Sequence, residues 1–184
     1  LNSVGTTTGV LVDAVAPTVT SVSVPANGTY LAGETLSFNL NTSEAITINT
    51  GSGTPQIALS IGGTTRQATY TSGSGTSALV FSYNVQAGEI DTDGIAVASS
   101  INTNSGTLQD AAGNNLNLTL NSVGATTAVL VGHGSATQLV ITNSAVAAAN
   151  GEQLATQPAL AIRDANGNLV TSDSSAQITI SIAS

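Results

Sequence analysis

The sequence predicts an all-β protein built from β-sandwich repeats in tandem, on three observations. Apolar residues alternate with a period of two, turn signals separate the alternating runs, and a segment of the chain is duplicated. The alternation is clearest in Leu36, Phe38 and Leu40, in Leu79, Phe81, Tyr83 and Val85, and in Leu116, Leu118 and Leu120. It continues in Val22 and Val24; Ile46 and Ile48; Ile57, Leu59 and Ile61; Ala68 and Tyr70; Ile95 and Val97; and Ile178, Ile180 and Ile182. Period two places every second side chain on one face of a pleated strand, so each run can bury that face. The segment 144–155 (SAVAAANGEQLA) lacks an apolar stripe at helical spacing and reads as strand and loop.

Between the runs stand PANG at 25–28, GSGTP at 51–55, IGGTT at 61–65, SGSG at 72–75, DTDG at 91–94 and AAGNN at 111–115. Gly, Asn, Asp and Pro punctuate because they adopt or stabilise turn backbone. The spacing predicts strands near 18–24, 34–40, 45–50, 56–61, 66–71 and 78–85, with a chain reversal after each.

The duplication sets the boundaries. Residues 1–12 (LNSVGTTTGVLV) recur as 120–131 (LNSVGATTAVLV), differing only at Thr6 against Ala125 and Gly9 against Ala128. Residues 1–12 are therefore read as the terminal strand region of a preceding repeat, and 13–131 as one complete repeat. Residues 132–136 (GHGSA) form a linker in place of the DAVAP at 13–17, and 137–184 begin a second type of module, too short for a full sandwich of roughly 100 residues. Having no methionine and no signal-peptide pattern, the chain reads as an excerpt whose export signal or anchor lies elsewhere.

Composition narrows the function. Hydrophobic residues are 41% but aromatics only 3%, so the core rests on Val, Leu, Ile and Ala. Charged residues are 7%, against about 25% in ordinary soluble domains, so Ser, Thr, Asn and Gly must solvate the surface. Ten acids face Arg66 and Arg163, a net charge of -8, which opposes nucleic acid and anionic lipid as partners. No apolar run is long enough for a membrane span. The absence of cysteine excludes disulfides and thiolate chemistry.

Taking the reversals in turn, alternate loops fall at opposite ends of the sandwich. This counting gathers Asp13, Glu44, Glu89, Asp91 and Asp93 at the junction with the preceding repeat. Carboxylates supplemented by loop carbonyls suit calcium, a hard cation that takes six to eight oxygens. Asp13, Glu44, Asp91 and Asp93 are the candidate ligands of a calcium clamp between repeats. The other reading is that these acids cap turns by hydrogen bonding to backbone. For Asp110, Asn114 and Asn115, and for Asp164, Asn166 and Asn168, turn chemistry is the reading preferred.

No constellation for catalysis stands out. His133 is the only histidine and lies in a GHG linker, as a solvated loop residue would. No base and acid are marked beside any serine, and Asp91 and Asp93 are too close in one turn to flank a sugar ring. Sequons at Asn27, Asn41 and Asn117 are expected from such a composition, and no glycan is assigned.

The stretches VDAVAPTVTSV (12–22), GTYLAGETLSFNL (28–40), TSEAITI (42–48), ATYTSGSGTSALVFSYNV (68–85), GEIDTDGI (88–95) and GTLQDAAGNNL (106–116) follow in order. Together they resemble the bacterial immunoglobulin-like repeats of giant adhesins and other large exported surface proteins. LATQPALAIRDANGNLVTSDS (154–174) resembles the start of an invasin-type immunoglobulin-like module. The resemblance implies tandem immunoglobulin-like β-sandwiches that extend a binding tip from a cell, often with calcium at the linkers, and Asp13 matches the linker aspartate of that pattern. Gly132, His133 and Gly134 depart from it, which implies a calcium-free, more flexible second joint.

The expected function is that of a spacer in a secreted, cell-surface adhesin, partnered by neighbouring repeats and not an enzyme. A subunit of a self-assembling filament or surface layer is the alternative, with a strand such as Leu1 to Val12 completing a neighbouring copy's sheet. A carbohydrate-binding module ranks lower, because the rings of Tyr30, Tyr70, Tyr83, Phe38 and Phe81 mostly alternate toward the core.

Overall fold

The structure, a computed structural model, describes residues 12–146, 155–165 and 167–170. Among them every regular element is a strand, and no helix is long and apolar enough to cross a membrane. The strands are β1 (Val19–Ser23), β2 (Gly28–Leu31), β3 (Thr35–Asn49), β4 (Gln56–Ile61), β5 (Thr64–Ser72), β6 (Thr76–Asn84), β7 (Ala96–Asn102), β8 (Thr107–Gln109), β9 (Val129–Gly132), β10 (Ala136–Asn143) and β11 (Ala159–Asp164). The all-β expectation holds. The strands of the 12–132 body form one curled antiparallel sheet in the order β1-β3-β6-β5-β4-β7, with β8 on the far half of β3 and a separate β2-β9 pair.

Period two does what alternation requires. Leu36, Phe38 and Leu40 of β3, Ile57, Leu59 and Ile61 of β4, and Leu79 and Phe81 of β6 are all buried, while the residues between them are more exposed. Phe38 stands opposite Phe81 in the β3-β6 register, and Tyr70 of β5 meets Phe81 edge-on, with ring centroids 5.8 Å apart at 70°. Two of the chain's few rings thus sit at the centre of an otherwise aliphatic core.

One expectation is corrected. The predicted strands 34–40 and 45–50 are a single 15-residue strand, β3, with no reversal at Glu44. Its register slips between Asn41 and Ile46, so that β3 pairs with β1 up to Thr42, with β6 up to Asn41 and again at Ile46, and with β8 from Thr47. The slip is a bulge whose polar groups are met locally. Ser43 N–H donates to Thr18 O at 2.9 Å, Thr18 N–H donates to Ser43 Oγ at 3.0 Å, and Thr42 Oγ1 lies 2.6 Å from Glu44 O. A strand that can satisfy its backbone while changing partners has no need of a turn.

The segment predicted as a strand at 116–120 runs between the sheet's two edges. On one side Ile101 N–H donates to Leu118 O and Leu120 N–H to Ser99 O; on the other Asn117 N–H donates to Pro17 O, and Gly124 N–H to Val22 O. Both edge strands, β1 and β7, are thereby covered, which removes the open ladder that invites edge-to-edge aggregation. The duplicated segment continues into β9, where Val129 and Val131 are buried and pair in parallel with Gly28 and Tyr30 of β2. Its first copy, 1–11, lies outside the described residues, with Val12 exposed.

Topology places the two linkers at opposite ends of the body. The incoming chain meets the middle of β3 through Thr18 and Ser43, and β1 then runs from Thr42 toward Asn39. The outgoing chain leaves β9 beside Asp91, whose N–H donates to Val131 O at 2.7 Å and whose Oδ2 accepts from Gly62 N–H in the β4-β5 turn at 2.7 Å.

A polar network fastens that outgoing end. Glu89 is buried, pairs with Arg66, and accepts from Tyr83 Oη–H at 2.6 Å and Gln86 N–H at 2.8 Å. Burial, followed by the hydrogen bond to Glu89 and the charge of that carboxylate, pushes the Tyr83 hydroxyl up to about 12. A raised folded value stabilises the protonated form, so this contribution is complete below the ordinary tyrosine range near 10 and is lost as pH rises through about 12. Thermal midpoints measured between pH 9 and 12.5 are expected to fall across that window, and to fall less steeply in Tyr83→Phe.

Beyond the body, β10 and β11 form a two-stranded antiparallel sheet, on which Leu139 and Ile141 are exposed, and Val146 is exposed after it. The run at Ile178, Ile180 and Ile182 and most of 144–155 lie outside the described residues.

Candidate metal centre

Three carboxylates converge where the incoming linker meets the body. Asp13 on the linker, Glu44 in the β3 bulge and Asp110 just after β8 each offer an oxygen, all within 4.8 Å of one another. Each is placed by its own backbone. Asp13 Oδ1 accepts from Val15 N–H at 3.0 Å, which curls the linker toward the body. Glu44 is presented because the bulge turns that stretch away from β6. Asp110 is held by the turn 110–114, in which Asn114 N–H donates to Asp110 Oδ1 at 2.8 Å and Asn114 Nδ2–H donates to Asp110 Oδ2 at 2.8 Å. Gly113, at φ 91°, takes a conformation that only glycine adopts freely, and its N–H donates to Asp110 O. The same Asn114 amide reaches Asp13 O at 3.3 Å and so ties turn to linker.

Of the four predicted ligands, the structure brings Asp13 and Glu44 together and leaves Asp91 and Asp93 at the opposite end. The unbroken β3 removes one reversal from the count, which inverts the parity of every later loop. Asp91 is a turn cap: it is buried, Oδ2 accepts from Gly62 N–H at 2.7 Å, and Oδ1 accepts from Gly94 N–H at 2.8 Å. Asp93 is exposed in the same turn. Asp110, which the sequence reading assigns to turn chemistry, does cap its turn and also supplies the third acid of the cluster. His133 is half-buried rather than solvated, with Nδ1 3.0 Å from Gly134 O.

Electrostatics within the cluster are unequal. Burial pushes Asp110 up, but the hydrogen bonds from the Asn114 side chain and from the backbone of Asn114, Ala112 and Gly113 outweigh it and hold the carboxyl below its usual range. Glu44 is raised, first by desolvation and then by the charges of Asp110 and Asp13. Both arginines are engaged elsewhere, Arg66 with Glu89 and Arg163 with Gly167 O at 2.6 Å. The donor set suits a hard divalent cation, because three carboxylates converge and both arginines are bound elsewhere.

Compared with known proteins, the chain matches no family model, no curated protein and no solved structure.

Proposed function

We propose that this chain is a non-catalytic spacer of a secreted bacterial surface adhesin, built from immunoglobulin-like sandwiches in series and stiffened at the joint around Asp13. The observation that carries the reading is that linkers meet the 12–132 body at opposite ends, as a module arranged in line requires. The acidic triad supports it, because one ligand comes from the linker and two from the body. Calcium held by Asp13, Glu44 and Asp110 would tie the two together and relieve the like-charge crowding on Glu44.

Thermal unfolding with calcium and then with chelator tests the ion. At a hundredfold excess over its Kd, one bound calcium adds about 2.7 kcal/mol to stability. Because Glu44 is raised, its stabilising contribution belongs to the protonated form, complete below the ordinary value and lost as pH rises. Glu44→Gln is therefore expected to raise the midpoint at neutral pH in chelator and to shrink the gain from calcium. Equal midpoints of the parent chain in calcium and chelator would remove the ion from the proposal.

The exposed Leu139 and Ile141 on the two-stranded sheet favour a second reading, a subunit that assembles by strand addition. Sedimentation equilibrium separates them: a monomer supports the spacer and ordered polymers the subunit. A sugar platform finds little support, since Phe38 and Phe81 are buried and Tyr70 packs on Phe81.

A further inference from the structure

Two turns far apart in the sequence share one design. Residues 110–114 (DAAGN) and 164–168 (DANGN) have the pattern Asp-x-x-Gly-Asn. In both, the Asn N–H donates to the Asp Oδ1 at 2.8 Å, and the Asn Nδ2–H donates to the Asp Oδ2, at 2.8 Å in the first and 3.0 Å in the second. In both, the Asp N–H donates to the Asn O, at 3.0 and 2.9 Å, and the Gly N–H donates back to the Asp O. The glycines have φ of 91° and 83°. Asp164 is 1% exposed and Asn168 is buried, so this is an interior fixture and not a surface loop.

Each turn also touches the linker that precedes its own strands. Asn114 Nδ2–H donates to Asp13 O at 3.3 Å, and Asp164 Oδ2 accepts from Gly134 N–H at 2.9 Å. The duplication relates the two linkers: Leu1 corresponds to Leu120, so Asp13 corresponds to Gly132 and Val15 to Gly134. The two contacts thus fall within two residues of equivalent places. We infer that the Asp-x-x-Gly-Asn turn is a docking surface for the linker backbone leaving the preceding module, and that the Asp164–Asn168 turn fastens the joint by accepting the Gly134 N–H. The ligand is a short peptide segment, recognised through main-chain groups, so its side chains are free to differ as DAVAP and GHGSA do. A linker held through its backbone is indifferent to losing the aspartate that Gly132 replaces. The inference is independent of calcium, since neither contact needs a cation.

Amide exchange of the full chain, followed by NMR in chelator, tests it. The Gly134 N–H is expected to be protected, and Asp164→Asn, which removes one accepting oxygen, to speed its exchange on the order of ten- to a hundredfold. The Val131 N–H, bonded to Asp91 O, serves as the unchanged reference. A Gly134 amide that exchanges at the unprotected rate in the parent chain, or is unaffected by Asp164→Asn, overturns the proposal. Should Asp164→Asn unfold the β10-β11 sheet, Gly134→Pro removes the donor and leaves the turn whole. Because the chain has no cysteine, spin labels at Gln67→Cys and Thr142→Cys report the joint directly. Gly134→Pro is expected to broaden the distance distribution about twofold, and an unchanged width counts against the clasp. Calcium binding at Asp13 can fail without altering either result.

Discussion

Phe81→Ala is expected to destabilise the 12–132 body by about 3–5 kcal/mol, as buried aromatic truncations do. Phe81 is fully buried on β6, opposite Phe38 and edge-on to Tyr70, so its removal empties the centre of the core and takes a ring contact with it. The surrounding side chains, the Phe38 and Tyr70 rings among aliphatics, are fixed to three adjacent strands, β3, β6 and β5, which limits their collapse into the void. Urea titration followed by circular dichroism checks the loss as a lower midpoint at constant slope. Phe81→Leu, which returns most of the volume, is expected to cost much less. Equal midpoints for Phe81→Ala and the parent would mean that the core is not organised around this ring.

Asp91→Ala is expected to cost about 2–5 kcal/mol while leaving any calcium response intact. The carboxylate accepts from Gly62 N–H and Gly94 N–H, one in the β4-β5 turn and one in its own turn. Hydrogen bonds to a charged acceptor contribute roughly 1.5–3 kcal/mol each, and truncation leaves both donors without it. Asp91→Asn keeps the shape and one accepting oxygen, so it is expected to lose about half as much. The informative comparison is with Asp110→Asn, which touches the acidic triad. A melt in calcium and in chelator should show Asp91→Ala less stable with the increment preserved, and Asp110→Asn with the increment reduced. Loss of the calcium increment in Asp91→Ala alone would restore the ion to the DTDG turn.

The sheet was legible because it rests on pattern. Alternating apolar residues at 36–40, 57–61 and 79–85 mark the buried faces, and Gly-rich turns mark most reversals. The site was legible in part. Counting reversals puts Asp13 and Glu44 at one end, where they do lie together, and Asp91 and Asp93 there too, although they lie at the other, because a strand that changes partners looks in sequence like two strands with a loop between them. The stretch 35–49 contains neither Gly nor Pro, and Thr42-Ser43 supplies the hydroxyls that pay for the bulge. That missing punctuation was the available signal. Asp110 caps its turn, as DAAGN suggests; that a capped carboxylate also faces the linker depends on pairing between Thr47 and Gln109, a contact between residues far apart in the chain.

The parallel pairing of β2 with β9 has a mechanical consequence. The chain comes in at one end and goes out at the other, so tension along it draws β9 and the early strands in opposite senses parallel to their length. The bonds from Gly28–Leu31 to Val129–Gly132, with the bridges Thr18–Asn117 and Val22–Val123, are then loaded in shear and share the pull, instead of being peeled open one at a time. Under the proposed spacer role, that is where the rupture threshold of the body is set.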